Sequence, residues 1–237
     1  MGTEDAPSEP SASDRAGAPV GRRTILGLVG LGAAGVVGGS RVQDLLGRWL
    51  GPLEANDPTG LLALFPLGDT FRFYSVTGSV RTETAATYRL SVSGEVAHAA
   101  TYTLADLQTM PQTHFVKEFQ CVTGWRVPDV QWGGVQLSEL ITRARTSTRA
   151  KAVRFRSFDG TYTESLTMAE AMRSDVIVAL QMLGKPVTHD HGGPVRMYCA
   201  SMYGYKSTKW LSAIELTDTE IPGYWETRGY DINGSIG

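Results

Sequence analysis

From Phe71 onward the apolar residues come in short pieces, each closed by glycine, proline or an Asp-Gly step, and no piece keeps a helical period long enough for the crossover helices of a doubly wound sheet. Tyr88, Leu90 and Val92 alternate with Arg89, Ser91 and Ser93, the period of a half-buried strand, and Gly94 ends it. Thr103 and Asp106 form a capping-box pattern before a short helix that Pro111 terminates. The stretch 115–121 is expected as a strand that carries Cys121 at its end, with a helix over about 137–145. Val153, Phe155 and Ser157 begin a strand, Asp159-Gly160 turns it, and 162–166 returns as the second arm of a hairpin. Thr167 and Glu170 repeat the capping box. Further strands are expected over 176–183, 194–200 and 210–216. The pattern predicts an α+β fold with mixed sheets, and no internal repeat is visible.

With 237 residues, 42% of them hydrophobic, the chain can bury a substantial core in one catalytic-size domain. Lys+Arg 22 against Asp+Glu 24 leaves no broad basic field, so nucleic acid is not an expected partner. Two cysteines make no disulfide framework and have no zinc spacing.

The first 70 residues read differently. Residues 1–21 are rich in Ala, Pro, Ser and acidic residues and are expected to be disordered. Arg22-Arg23 precede the uncharged, Gly-rich run Thr24 to Ser40, so 22–40 has the shape of a twin-arginine export signal or a membrane anchor. Residues 41–70 then form a linker, and the domain proper is expected over 71–237. This order places the catalytic domain outside the cytoplasm, exported across the plasma membrane or anchored to it.

Two segments carry the chemistry. The first runs Phe119-Gln120-Cys121-Val122-Thr123-Gly124-Trp125 and continues to Trp132-Gly133-Gly134. A lone cysteine is by composition more often a small core hydrophobe than a ligand. Here a loop-like Val-Thr-Gly step follows the strand, where a thiolate can reach a soft metal. The second segment holds His191-Gly192-Gly193-Pro194-Val195-Arg196 and Met202-Tyr203-Gly204-Tyr205-Lys206-Ser207-Thr208-Lys209-Trp210. Cations and close-approaching glycine backbone suit a phosphate. An ordinary Gly-Gly-Pro turn followed by an exposed strand arginine explains the same residues.

Together these segments resemble the sulfite oxidase-type molybdopterin oxidoreductase domain, in particular its short bacterial members. The resemblance implies that the Cys121 thiolate binds molybdenum. It also implies that His191 bonds the pterin, that Arg196 pairs with its phosphate, and that Gly204, Tyr205 and Lys206 cradle that phosphate. Phe73-Tyr74-Ser75 falls where the related methionine sulfoxide reductase catalytic subunit contacts the pterin, which adds Tyr74 and Ser75. Sulfite oxidases place an Arg-Asn-His triplet near there, whereas this chain reads Ser75-Val76-Thr77, against sulfite as substrate. The implied activity is two-electron oxygen-atom transfer on a small-molecule substrate at a molybdenum–molybdopterin cofactor. No haem-attachment motif is present, so electrons pass to or from a separate redox partner, a membrane haem or quinone-linked subunit, and a monomer is expected. Two alternatives stay open: a cofactor-free thiol enzyme in which His114 or His191 serves Cys121 as base, and a membrane-tethered binding module that has lost the cofactor.

Overall fold

The computed structural model describes residues 71 and 75–236. Tyr74, the expected leader at 22–40, and the segments 1–21 and 41–70 lie outside the described residues. In chain order the elements are β1 (Arg89–Gly94), β2 (Ala100–Thr103), α1 (Leu104–Thr109), β3 (Gln112–Gln120), β4 (Arg126–Gln136), α2 (Leu137–Arg143), β5 (Ala152–Ser157), β6 (Thr163–Thr167), α3 (Met168–Ala171), β7 (Val176–Met182), β8 (Lys185–Pro186), β9 (Arg196–Cys199) and β10 (Leu211–Thr217). They form two sheets. One has the order β2-β1-β10-β5-β6, and the other β3-β4-β7-β8 with β9 also paired to β7. The β1–β10 pair is parallel and joins the first strand to the last, while the other pairs are antiparallel.

The local signals act as expected. Thr103 and Thr167 both close reciprocal capping boxes, with Asp106 and Glu170, and start α1 and α3. β5 and β6 pair across the Asp159-Gly160 turn, where Asp159 accepts from the backbone of Thr161 and Tyr162. The helices are short, so the fold is mostly sheet.

The sequence pattern names no strand over β4, which contains Pro128, Asp129 and Gly133-Gly134, residues of weak strand propensity. β4 nevertheless runs for 11 residues. Asp129 takes a positive φ of 52, and a register shift between Lys117 and Phe119 absorbs the irregularity opposite it.

Strand alternation divides the interior in two. Val176, Val178 and Leu180 of β7, with Met197 and Cys199 of β9, face the first sheet and join Leu90, Val92, Val153, Phe155, Ile214 and Leu216 in the larger core. Ile177, Ala179 and Met182, with Tyr198, point the other way into a smaller cluster of Phe119, Trp125, Val130 and Trp132. The larger core holds the sheets together, and the smaller one underlies Cys121.

Phe155 is fully buried at the centre of the larger core, whereas Val116 on β3 is 55% exposed. We expect Phe155→Ala to lower stability by about 3–5 kcal/mol and Val116→Ala by at most about 0.5 kcal/mol, measured by chemical denaturation.

Candidate functional site

Cys121 follows β3 directly and stands at a tight turn. Its N–H is bonded to Trp125 O at 2.9 Å, and its carbonyl accepts from Gly124 N at 3.0 Å. The side chain is half-buried and lies against the aromatic cluster, with Thr123 Oγ1 3.1 Å from its sulfur. The second cysteine, Cys199, is fully buried on the opposite, core-facing side of β9, where burial pushes its thiol up to about 12. Neither cysteine forms a disulfide.

Three aromatic rings form the floor beside Cys121. Phe119 stacks on Trp125 with centroids 5.5 Å apart, and Phe71 lies against both at 5.4 and 6.0 Å. Phe71 also meets the His191 ring edge-on at 5.2 Å. The cluster therefore spans the gap between the cysteine turn and the 189–192 turn. His114, in contrast, sits seven residues up β3, roughly 20 Å away along an extended strand, beyond reach of the thiol.

On the far side of those rings is a cationic recess. Arg196, at the start of β9, is buried and shares the face of Tyr198, with its guanidinium 5.4 Å from the Phe119 centroid and 5.6 Å from that of Trp132. It donates to the carbonyls of His191, Met197 and Ser207, not to a carboxylate. The half-buried Lys209 lies close by, its ammonium 4.4 Å from the Trp210 ring.

Trp210 pins the two loops together, its N–H bonded to Gly192 O and its indole Nε1 to His189 O. A side chain on Gly192, at φ +94, would collide with Lys209 Cβ at 2.5 Å, so only glycine lets the lysine backbone come this close.

The electrostatics follow from burial. Desolvation pushes Arg196 down to about 10 and Lys209 down to about 7, and each lysine or arginine charge adds to the other's shift or to that of His191. His191 is lowered chiefly by burial, then by Arg196 and Lys209, so it is neutral at physiological pH. Two more polar atoms are buried here with no partner among the described residues, Thr208 Oγ1 and His189 Nδ1. A dianion placed among Arg196, Lys209 and Thr208 would reverse both cation shifts and use the hydroxyl.

The cradle expected from Gly204, Tyr205 and Lys206 takes another form. The three residues make a single 3-10 turn. A Cβ on Gly204 would lie 2.4 Å from the Phe119 ring, so this glycine serves packing of the aromatic floor. Tyr205 donates its hydroxyl to Asp231 O at 2.6 Å, and its carbonyl accepts from Tyr162.

Lys206 must be corrected. Its side chain is wholly buried, and its three protons go to Glu164 Oε1 at 2.9 Å, to Glu226 Oε1, and to Ile232 O at 2.7 Å. A lysine with every donor spent on carboxylates and a carbonyl has none left for a phosphate. Lys209, three residues on, lies instead against the Trp210 ring and in the field of Arg196. Ser75 bonds Thr77 within its own turn.

The structure also brings up a residue that sequence reading passed over. Tyr230, in the segment after β10, packs edge-on against Tyr205 at 5.2 Å and tilts over Trp225 at 5.2 Å. Burial, and then the sulfur of Cys121, push its hydroxyl up to about 12. Tyr230 packs against the cluster of Val122, Tyr203 and Tyr205, and so against the cysteine turn, although more than a hundred residues separate it from that turn in sequence. Of the cations near the cysteine, Lys117 is exposed and Arg126 is paired with Glu118 at 2.6 Å.

Glu164 gives a pH prediction. Burial first, and then neighbouring Glu226, hold its carboxyl well above the usual carboxylate range despite Lys206. A raised native value contributes stability that is full below the unfolded value and is lost as pH rises through the native one. Glu164→Gln, which keeps a neutral group in place, should gain stability relative to wild type as pH is raised beyond the usual carboxylate range, in denaturation curves recorded across pH.

Comparison with known proteins places this geometry. Residues 77–225 match the family described as "Oxidoreductase molybdopterin binding domain". The chain is 31% identical over 147 residues to the uncharacterized oxidoreductase YuiH of Bacillus subtilis, covering 62% of this chain and 74% of that protein. It is 32% identical over 155 residues to the protein-methionine-sulfoxide reductase catalytic subunit MsrP of Burkholderia mallei, covering 59% of this chain and 46% of that one. Its fold is similar to the sulfane dehydrogenase SoxCD of Paracoccus pantotrophus, with TM-score 0.57 and 20% identity over 64% of this chain and 46% of that chain. The chain thus spans about half the length of the reductase subunit and of the SoxCD chain it matches. Because the family match alone takes in more than half of the residues, this protein is an oxidoreductase that belongs to the molybdopterin-binding domain family, with a sulfite oxidase-like fold.

Proposed function

We propose that the chain binds a molybdenum–molybdopterin cofactor, with Cys121 as the protein's sulfur ligand, and reduces sulfoxides by two-electron oxygen-atom transfer. The observation that carries this reading is the pairing of one accessible thiol with one desolvated cationic recess across a single aromatic floor. No group of three or more His, Cys, Asp or Glu able to hold a metal occurs among the described residues. A metal here would need most of its ligands from a cofactor, and a pterin dithiolene brings them.

The residues fit such a group. Arg196 supplies a buried guanidinium that donates to backbone carbonyls, Lys209 adds positive charge beside it, and Thr208 Oγ1 offers a hydroxyl with no partner among the described residues. His191, neutral and half-buried, faces the same recess and can bond the pterin. When bound, the cofactor supplies the oxygen-atom transfer chemistry itself. The protein's part is to hold it by the phosphate end and by Cys121, and to line the space with Phe71, Phe119 and Trp125, which exclude water. Tyr230, packed against the cluster that includes Val122, keeps its phenolic proton across physiological pH.

Similarity to the MsrP subunits supports a protein-bound or free methionine sulfoxide as substrate. The Arg126–Glu118 pair points the same way, since a guanidinium already neutralised by a carboxylate offers less to an oxyanion than to a neutral sulfoxide. Reduction of the sulfoxide to thioether and water consumes two electrons and two protons, so the reading requires a separate electron donor, a membrane haem or quinone-linked subunit. It also places the domain on the outer side of the plasma membrane, as Arg22-Arg23 and the apolar run behind them suggest. Among the described residues no helix is long and apolar enough to cross a membrane. The thiol-enzyme alternative loses one of its two bases, because His114 lies far up β3 from the thiol.

Protein purified from a host that makes the cofactor should contain close to one molybdenum and one pterin per chain, and should reduce methionine sulfoxide with a chemical electron donor. Cys121→Ala should lose at least about a thousandfold in rate while remaining folded by circular dichroism. Absence of both metal and pterin from wild type would reject the proposal. Arg196→Met and Lys209→Met should each lower pterin content, and full occupancy in both would move the phosphate site elsewhere.

A further inference from the structure

Lys206, Glu164 and Glu226 are the most deeply buried charged group among the described residues, with side chains 0%, 0% and 2% exposed. Such a cluster is costly to build, and nothing in oxygen-atom transfer uses it directly. Its members come from three separate stretches: Glu164 from β6, Lys206 from the turn after β9, and Glu226 from the segment that follows β10.

That last segment has little regular structure of its own, yet it is tied down at many points. Tyr224 N is bonded to Thr163 O, Gly223 N to Glu226 Oε2, Tyr203 N to Gly234 O, and Ile236 N to Ser201 O. Lys206 itself reaches Ile232 O, and Tyr205 reaches Asp231 O. Between these ties lies a single 3-10 turn, Glu226–Arg228, and directly after it comes Tyr230, whose N–H returns to Trp225 O. Glu226 thus opens the turn that delivers Tyr230, and Lys206 holds Glu226 from one side and Ile232 from the other. On the other side of Lys206 the chain continues into Ser207-Thr208-Lys209, the edge of the cationic recess.

We propose that the Lys206–Glu226–Glu164 cluster is a latch that fixes the C-terminal segment over the cysteine turn, so that Lys206 and Glu226 are positioning residues acting through Tyr230. The latch joins the two halves of the site. The same lysine anchors the backbone leading to the recess and the segment that packs Tyr230 against the cluster of Val122, Tyr203 and Tyr205 at the cysteine turn. Burial, and then Glu226, hold the Glu164 carboxyl well above the usual carboxylate range, which disfavours a second buried anion in the cluster. Glu220 and Tyr162, which also sense these charges, complete its surroundings.

The inference rests on the molybdenum-site reading, and the test separates the two. Holoenzyme is prepared as wild type, Glu226→Gln, Lys206→Met, Tyr230→Phe, the double variant Glu226→Gln/Tyr230→Phe, and Glu215→Gln, which removes the surface pair with Arg156 as a control. Metal content, kcat and KM, the electronic spectrum, and amide hydrogen exchange are measured on each.

Glu226→Gln should keep its molybdenum, lose about tenfold to a hundredfold in kcat with little change in KM, and shift the metal–sulfur absorption as Tyr230→Phe does. The two losses should not multiply in the double variant. Exchange should rise across residues 223–236 and stay unchanged in β6 and β9.

Losses that multiply, or a wild-type spectrum and kcat in Glu226→Gln, would overturn the latch and leave the cluster a purely structural anchor. Lys206→Met is the harsher variant, and Glu226→Gln decides the question if it fails to fold. Wild type without molybdenum would sink the cofactor reading instead, and exchange over 223–236 would still decide whether the latch exists.

Discussion

β7 is buried on both faces, and the rest of the molecule is arranged around that constraint. A strand in this position must satisfy its backbone within the sheet and its side chains against two different neighbours. One face, Val176, Val178 and Leu180, closes the core between the sheets. The other, Ile177, Ala179 and Met182, supports the cluster of Phe119, Trp125 and Trp132. β9 pairs with β7 and follows the same alternation, which is why Met197 and Cys199 go to the core while Arg196 and Tyr198 go to the functional side. The chemical fates of these residues come from a period of two and one shared partner strand.

Aromatic packing then sets the distance between thiol and recess. Trp132 stacks on Tyr198 at 3.9 Å, and Phe119 and Trp132 both lie close to the Arg196 guanidinium. A buried arginine that donates only to backbone carbonyls keeps its full charge available to an anion. Two lysines three residues apart show how much this depends on local surroundings. Lys206 turns inward to Glu164 and Glu226, while Lys209 lies beside Arg196 and Trp210. One charge is spent on a buried carboxylate cluster, and the other sits against an indole ring in the field of Arg196.

Much of this was legible because the signals were local. Both capping boxes, the Asp159-Gly160 hairpin, the alternation in β1 and the strand ending at Cys121 depend on residues within a few positions of one another. Where the reading missed, distant contacts had overruled local preference. β4 continues through Pro128 and Gly133-Gly134 because it lies between β3 and β7, and the pairing on both sides outweighs weak strand propensity. Lys206 was assigned to the phosphate because a Gly-Tyr-Lys stretch has the right chemistry. The carboxylates that claim it are 42 and 20 residues away.

The sequence by itself determined the kinds of element, the thiol that follows β3, and the residue types around His191 and Arg196, because each is a matter of residue type and short spacing. Only the tertiary structure decided which lysine faces the recess and which cysteine is locked in the core. It alone brought Tyr230 to the cysteine turn. Those outcomes depend on strand pairing and on which face a side chain takes once two sheets close over it, and no run of neighbouring residues encodes that.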